Sequence, residues 1–514
     1  MIKNYLVSAS LLIIGSLFSA QGVGLDLNFA QNGVTPSEST DRFEDIEVSY
    51  NGKILIAGEQ LQSTPYYNGM VKRYLPNGSV DLNFGTSGVA SIDGGSSQGD
   101  IFHALKELPD HKILAVGKTD TAAGMFNYNY NLFMVRLNED GTLDTTFGNN
   151  GKVVMNLGTN YDNGEKIFTD SAGRIVIFAD KDAVSEAYQY TRGVVMRFLP
   201  NGILDTTFAQ SGILEINPTY YSKLNDLVFL NDGSMLIGGS YGYDSNDTYN
   251  RDMFIYKVDE NGNFVNSFGT NGVKILDMEN SGDFLSKIDV LPDGKIQLIS
   301  AALSFGPKST YISRLNPDGS YDTTYKNSGK YVPNTNIPNH NKLWGGNVLI
   351  LPDGNYLLCS SSQWTVVQNG NYDFVMVGLL QNGERNNAFN NTGSYAREIS
   401  NAHEYLYSQH LAPDGGVYFI DQYRLYKFTN TYTLRLSEAV SNKNLTIYPN
   451  PAQNVIHLNT SERVLEIQII NINGQTIRTV KDSKQVEVRD LPSGNYFLKI
   501  SLEKEIVTLK FIKQ

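Results

Sequence analysis

Residues 141–148 read Gly141-Thr142-Leu143-Asp144-Thr145-Thr146-Phe147-Gly148, and the pattern D-x-x-F-x-x-x-G that begins at Asp144 returns along the whole 514-residue chain. Its Asp, aromatic and Gly positions recur at Asp26/Phe29/Gly33, Asp81/Phe84/Gly88, Asp144/Phe147/Gly151, Asp205/Phe208/Gly212, Val265/Phe268/Gly272, Asp322/Tyr325/Gly329 and Asn386/Phe389/Gly393. The aromatic position advances by 55 to 64 residues each time. Seven copies at a nearly constant period predict seven repeated structural units.

Each unit carries two further anchors in constant order. One is a turn that leads into a strand, as in Asp293-Gly294-Lys295-Ile296, and the other is a strand that ends in a turn, as in residues 313–319. We divide a typical unit into four strands at Val89–Ile92, Phe102–Leu108, Lys112–Val116 and Leu132–Asn138. Short strands at this period, without helical periodicity, predict an all-β fold with a seven-bladed β-propeller over residues 21–436. Six or eight blades remain open alternatives.

The two ends of the repeat region complement each other. The last unit stops after residues 423–428 without its D-x-x-F turn, whereas the chain begins with Leu25-Asp26-Leu27-Asn28-Phe29. A four-stranded unit buries its faces only against neighbours, so the ring must close. We therefore expect the N-terminal segment to complete the last blade.

The repeated residues are interpreted as structural. Asp accepts backbone hydrogen bonds in turns, Gly adopts positive φ, and Phe fills the space between blades. A residue needed once for chemistry would not return in nearly every unit, so this motif indicates packing rather than a catalytic site.

These motifs resemble the delta-60 repeat of bacterial exported proteins, with residues 141–148 as the best copy. The resemblance covers roughly residues 25 to 430. It implies a propeller fold, and it transfers no activity and no catalytic residues, because the family has none established.

The composition changes near the C-terminus. Residues 437–444 read as a polar linker, and residues 445–514 alternate short strands with turns, which predicts a small Ig-like β-sandwich. The segment Tyr448-Pro449-Asn450-Pro451, the turn from Asn471 to Gly474 and the strand around Tyr496 resemble the type A sorting domain of the type IX secretion system. That resemblance implies recognition by the type IX secretion machinery and a location that is secreted or on the outer-membrane surface of a Gram-negative bacterium. The alternative is an ordinary Ig-like binding module.

The N-terminus is typical of a secretory signal peptide over residues 1–20. Lys3 precedes a short apolar run through Phe18, followed by small residues, and we expect processing between Ala20 and Gln21. Cleavage after Gly22 is the alternative. No other stretch is long and apolar enough to span a bilayer, so no transmembrane segment is expected in the mature chain. Cys359 is the single cysteine, so an intrachain disulfide is excluded.

Charge and motif searches exclude several function classes. The formal charge of −12 argues against nucleic acid as a partner. Two G-x-S-x-G strings, at 95–99 and 238–242, precede no helical pattern, and the six histidines lack metal-ligand spacing. The acidic residues 244–247 lack EF-hand spacing and read as a solvated loop. We therefore expect no catalytic residues, no metal and no cofactor.

Loop variability points to the place where a ligand would bind. Two of the four connections in each unit are uniform, and the two variable ones should emerge on one common face. The loops that we number between the third and fourth strands are rich in aromatic residues, namely Tyr66, Tyr67, Tyr128, Tyr130, Tyr188, Tyr190, Tyr241, Tyr243, Tyr249 and Trp364. Exposed aromatic residues suit sugars or protein surfaces. This predicts a non-catalytic adhesion module for an extracellular glycan or protein. The alternatives are tyrosines that merely cover blade edges, a structural surface-layer component, and an extracellular glycan-active enzyme.

Overall fold

The computed structural model describes residues 23–513, with gaps at 64–65, 96–98, 122–128, 159–160, 185–188, 217–220, 243–250, 279–283, 301–309, 365–371, 398–404, 413–414, 430–444, 451, 461, 472–475, 493 and 503–505. The predicted signal peptide, its processing site at Ala20 and Gln21, and the predicted linker 437–444 lie outside the described residues. In the described part the regular structure is all β, apart from one short 3-10 helix at Phe389–Asn391.

Residues 24–429 form seven four-stranded antiparallel sheets. The N-terminal strand is β1 (Gly24–Leu25). The first sheet contains β2 (Asp41–Val48), β3 (Ile54–Ser63), β4 (Tyr66–Tyr74) and β5 (Val89–Ile92). The second contains β6 (Asp100–Glu107), β7 (Ile113–Asp120), β8 (Tyr130–Leu137) and β9 (Lys152–Met155). The third contains β10 (Asp162–Thr169), β11 (Ile175–Val184), β12 (Gln189–Phe198) and β13 (Ile213–Glu215).

The remaining four sheets of this region follow the same order. The fourth contains β14 (Tyr221–Phe229), β15 (Met235–Gly242), β16 (Arg251–Val258) and β17 (Val273–Leu276). The fifth contains β18 (Leu285–Val290), β19 (Ile296–Ser300), β20 (Ile312–Leu315) and β21 (Lys330–Tyr331). The sixth contains β22 (His340–Ile350), β23 (Tyr356–Trp364), β24 (Tyr372–Leu379) and β25 (Ser394–Arg397). The seventh contains β26 (Ser408–Leu411), β27 (Val417–Ile420) and β28 (Leu425–Thr429), with β1 as its fourth strand.

The predicted grouping of strands into units was wrong by one strand. Val89–Ile92 pairs with β4 of the first sheet, with Lys72 opposite Val89, so it closes that sheet and does not open the next one. The D-x-x-F turn therefore joins the third and fourth strands within a sheet. A repeat that runs around a ring has no intrinsic starting point, and only the pairing register identifies which strand is first.

The ring closes through the two ends of the repeat region. Gly24 pairs with Thr429 and Leu25 with Phe428, and Val34 forms a further bridge with Tyr426. Strand β2 of the first sheet also packs against β26 of the seventh. The N-terminal segment thus completes the last sheet, as its copy of the D-x-x-F motif predicts.

A clamp built on the D-x-x-F motif holds neighbouring sheets together. Arg136, on the third strand of its sheet, donates from Nε to Asp144 Oδ2 at 2.7 Å. Its guanidinium carbon lies 4.6 Å from the centre of the Phe147 ring, and Nη1 donates at 2.5 Å to the carbonyl of Pro200 in the next sheet's turn. The same contacts recur in two other sheets, with the residues Arg73/Asp81/Phe84 and Arg197/Asp205/Phe208. The repeated Asp and Phe therefore have a structural role.

The arginine of this clamp is a sequence signal that the motif search missed. It stands eight residues before the Asp in the pairs Arg73/Asp81, Arg136/Asp144, Arg197/Asp205 and Arg314/Asp322. Where Val265 replaces the Asp, Lys257 replaces the Arg, and its amine lies 3.7 Å from Asp232 instead. The turn itself survives, since the Phe268 amide still donates to the Val265 carbonyl at 2.9 Å. The Asp of the motif is therefore needed for the ion pair with the clamp arginine more than for the D-x-x-F turn.

We expect Asp144→Asn to destabilise the protein at neutral pH and to matter less in acid. Burial alone would raise the pKa of Asp144, but hydrogen bonds from Lys112, Thr146 and Arg136 lower it well below its usual range. A carboxylate whose folded pKa is depressed stabilises the protein fully above its unfolded pKa of roughly 4, and this contribution declines as the pH falls from that value toward the lower folded pKa. Losing charge-assisted hydrogen bonds should cost about 1.5–3 kcal/mol of unfolding free energy.

Urea unfolding at pH 7, 5 and 3 measures this effect. Asp353→Asn is the matched control, because Asp353 is an exposed turn residue whose carboxylate accepts the main-chain amide of Asn355 at 3.0 Å and its side-chain amide at 2.8 Å. An equal loss for both variants at pH 7 would contradict the clamp.

Residues 446–513 form two further sheets. One contains β29 (Thr446–Tyr448), β30 (Val455–Asn459) and β33 (Gln485–Glu487), and the other contains β31 (Val464–Ile470), β32 (Thr476–Lys481), β34 (Gly494–Leu502) and β35 (Ile506–Lys513). Both sheets contribute to a single hydrophobic core that includes Ile456, Ile467, Val486 and Ile500.

Candidate functional site

The strand order separates the two ends of the ring. In the first sheet β2 runs toward the turn at residues 49–53, and the D-x-x-F turn that follows β4 lies at this same end. The β3–β4 connection and the link from β5 to β6 lie at the opposite end, which we call the loop face. The variable loops thus share one face, as predicted. The tyrosine-rich loops, which the sequence analysis placed between the third and fourth strands of a unit, join the second and third strands of a sheet.

The predicted aromatic residues are spread around the loop face. Tyr66 and Tyr67 begin β4, and Tyr130 begins β8. Tyr190 and Trp364 lie in β12 and β23, where the description stops at the backbone. Tyr128, Tyr188, Tyr243 and Tyr249 lie outside the described residues.

The interpretation of Tyr241 as an exposed aromatic was wrong. Tyr241 is only 9% exposed and belongs to the core between the third and fourth sheets. Its ring centre lies 6.2 Å from that of Phe254, and its hydroxyl donates to Asp252 at 3.4 Å. Because β15 is an internal strand with neighbouring sheets on both faces, all of its side chains are buried.

Three tyrosines lie near Arg42 where the seventh and first sheets meet. The Arg42 guanidinium carbon lies 4.9 Å from the centre of the Tyr67 ring, and Nη1 forms an ion pair with Glu59 at 2.8 Å. Tyr407, just before β26, is 40% exposed, and Tyr423, in the β27–β28 turn, is 36% exposed. Burial and the nearby Glu44 raise the pKa of Tyr407. We call Arg42, Tyr67, Tyr407 and Tyr423 the tyrosine patch.

A second aromatic arrangement follows in the second and third sheets. The Lys118 amine lies 4.3 Å from the ring centre of Tyr130 and 4.7 Å from that of Tyr161, and it donates to the Tyr161 hydroxyl at 3.3 Å. The two rings meet edge to face at 5.6 Å. Burial lowers the pKa of Lys118, and the negative charges of neighbouring carboxylates offset this lowering only in part.

Sequence reasoning also missed a ring of polar residues on the inner strands. In each of the first six sheets the pairing of the first strand with the second shifts register by one residue. The residues skipped by this shift are Glu44, His103, Glu165, Asn225, Ser286 and Gly345. A β-bulge re-aims a side chain, and here it brings His103 Nδ1 to 3.8 Å from Glu44 Oε2 across two sheets. The signal was a polar residue that interrupts the apolar alternation at the same place in the first five units, whereas the sixth has Gly345 there.

Charged side chains next to these bulges form ion pairs. The Lys223 amine lies 2.7 Å from both Glu165 Oε2 and Asp180 Oδ2. Burial raises the pKa of Asp180 to about 6, although Lys223 partly opposes that shift. On and next to the inner strands the protein thus places carboxylates, amines and tyrosines together, a set of groups that suits polar ligands.

Two features are absent from the described part of the chain. No group of three or more His, Cys, Asp or Glu side chains is placed to hold a metal ion in that part of the chain. Nor does it contain a helix long and apolar enough to cross a membrane.

Two family models match the chain. Residues 446–514 match the secretion system C-terminal sorting domain. Residues 51–84, 108–147 and 291–325 match the DUF5122 β-propeller, a domain of unknown function. No curated protein matches the chain.

Three solved structures show a general likeness. PorZ, described as an essential bacterial surface component of the type IX secretion system of Porphyromonas gingivalis, is 12% identical, with a TM-score of 0.39 over 92% of this chain and 59% of PorZ. The polysaccharide lyase Uly1 is 14% identical, with a TM-score of 0.39 over 79% of this chain and 93% of the lyase. The GH74 xyloglucanase of Xanthomonas campestris is 10% identical, with a TM-score of 0.43 over 91% of this chain and 59% of the enzyme. Likenesses this distant carry no argument about function.

The two family matches confirm the resemblances that the sequence analysis found in the repeat region and in the C-terminal region. The protein carries DUF5122 β-propeller repeats followed by a C-terminal sorting domain of the type IX secretion system, and it is exported by that system to the cell surface or the surroundings.

Proposed function

We propose that the seven sheets are the blades of a seven-bladed propeller that binds an extracellular glycan or protein at its loop face without catalysing a reaction. An Ig-like sorting domain delivers this binding module to the outside of the cell. The observation that carries the proposal is the tyrosine patch, where one partly exposed and two exposed tyrosines lie near an arginine.

The chemistry of the patch supports binding. Tyrosine and arginine are enriched among residues that dominate binding energy at interfaces. Tyrosine rings stack on the apolar faces of sugars while their hydroxyls donate and accept hydrogen bonds. Because Glu59 pairs with Arg42, the guanidinium is held in position before a ligand arrives, which reduces the entropy cost of binding.

Replacing Tyr67, Tyr407 and Tyr423 together by alanine should weaken binding at least tenfold. The purified chain is screened against immobilised polysaccharides (xylan, pectin, mannan, hyaluronan) and extracellular proteins (collagen, fibronectin), and the affinity of each hit is then measured for the triple variant. Tyr50→Ala is the matched control, since Tyr50 is 50% exposed but lies at the turn end of the ring.

Two results would contradict the proposal. Binding that survives the triple replacement would move the site away from the tyrosine patch. New reducing ends released from a polysaccharide hit would show that the protein is an enzyme.

A further inference from the structure

A polar cavity lies inside the ring, on the side opposite the tyrosine patch. Its volume is about 120 Å³, and it is lined by residues of β10, β14, β18 and β22, among them Lys166, Asn225, Ser286 and Asn347. A water molecule takes up roughly 30 Å³ of liquid, so the cavity has room for something larger than one water. Asn347 is exposed to solvent, so the cavity is open to the surroundings.

Lys166 brings a positive charge to this cavity without a carboxylate partner among the described residues. Its amine donates at 2.5 Å to the main-chain carbonyl of Asn225. Burial lowers the pKa of Lys166; the negative charge of Asp226 opposes that shift, and the positive charge of Lys287 adds to it. A buried ammonium group without a counter-charge is costly, and a bound anion would relieve that cost.

The carboxylates closest to Lys166 already have other partners. Asp226 pairs with Lys287 at 3.1 Å and accepts the Ile288 amide at 2.8 Å. Asp45 accepts the Ser408 hydroxyl at 2.8 Å and the Leu105 amide at 3.1 Å. The protein therefore leaves Lys166 available for an anion that enters the cavity.

Asn225 adds a hydrogen-bond acceptor to the cavity. Its side-chain oxygen Oδ1 is buried and accepts no hydrogen bond in the described structure. Leaving such an oxygen unpaired costs about 1–3 kcal/mol, which a donor on a ligand would recover. The cavity thus presents a cationic donor and a neutral acceptor side by side, together with the aromatic ring of Phe284.

We propose that this cavity binds a small carboxylate that also carries hydroxyl groups, and that a uronate of an extracellular polysaccharide is the ligand it fits. The carboxylate accepts from Lys166, a hydroxyl donates to Asn225 Oδ1, and the Phe284 ring covers an apolar face of the sugar. An exported protein meets such polysaccharides outside the cell. This site is separate from the tyrosine patch, so either can fail without the other.

Calorimetric titration of the purified chain with glucuronate, glucose and acetate tests the proposal. Glucuronate should bind at least tenfold more tightly than glucose, which lacks the carboxylate, and than acetate, which lacks the hydroxyls. Lys166→Met should reduce glucuronate affinity at least tenfold. Lys152→Met is the matched control, because the Lys152 amine also donates to a main-chain carbonyl at 2.5 Å, that of Asp93, but on an outer strand.

A second variant guards against a folding defect. Asn347→Ala removes an exposed cavity residue and should weaken glucuronate binding severalfold while the melting temperature stays unchanged. Equal affinity for acetate and glucuronate would disprove the role of the hydroxyls. If no compound binds, or if Lys166→Met binds like the unaltered chain, the cavity holds only water and the proposal is wrong.

Discussion

Removing residues 446–514 should abolish export, so that the shortened chain accumulates inside the cell. Type IX secretion recognises the sorting domain, and these residues are the part of the chain that matches it. The remaining sheets have separate cores, since the core around Ile456 and Ile467 contains no residue of the ring. The loss should therefore come from failed recognition and not from an unfolded ring.

Immunoblots of periplasm, outer membrane and medium measure the outcome in a bacterium that has the type IX machinery. Ile467→Asp offers a point variant, because Ile467 is fully buried in the sorting domain and a charge there should unfold it. Leu465→Ser is its control, since Leu465 lies on the same strand and is 39% exposed. A shortened chain found outside at the normal level would show that another segment directs export.

Phe29→Ala should cost about 3–5 kcal/mol of unfolding free energy, which is the usual range for a buried phenylalanine. Phe29 is 1% exposed and lies in the core shared by the seventh and first sheets, which also contains Phe43 and Tyr418. Its ring meets that of Tyr418 edge to face at 5.6 Å. The substitution therefore opens a cavity at the junction where the ring closes.

Denaturant unfolding of the purified chain measures this cost. Leu27→Ala is the control two residues earlier in the same motif, and because Leu27 is 65% exposed the change should stay within about 0.5 kcal/mol. A small effect of Phe29→Ala would mean that the closing segment is dispensable. Equal effects of the two variants would mean that stability depends on the turn and not on the buried ring.

Much of the fold could be predicted because the same motif recurs in seven units, and a residue that recurs in this way has a structural role. Seven copies of one motif, with the first copy at the N-terminus and none after the last unit, predict both the repeated sheets and the closure. The strand grouping could not be predicted, because a cyclic pattern fits every choice of first strand equally well. The arginine of the clamp was detectable at a fixed distance of eight residues from the Asp, but it lies outside the motif that was searched.

The candidate site was harder to predict for physical reasons. Tyr67 and Tyr130 are partly exposed on the loop face, whereas Tyr241 is buried, because exposure near a strand end depends on the neighbouring sheets. Glu44 and Glu165 lie at bulges of the inner strands, and one inserted residue breaks the alternation by which a strand is recognised. Tyr407 and Tyr423 belong to the last sheet, whose weaker repeat hid their position on the loop face.

The pairing of β1 with β28 also sets an order of events. The Thr429 hydroxyl donates to the Gly24 carbonyl across a separation of 405 residues, so the first strand made is the last to find its partner. Contacts this distant in sequence form slowly, because a long loop must close before they stabilise the chain. The ring therefore stays open until the strand that ends at Thr429 has been synthesised. Completion of the seventh sheet is thus a late folding step, and until then its edge strand β28 lacks its partner β1.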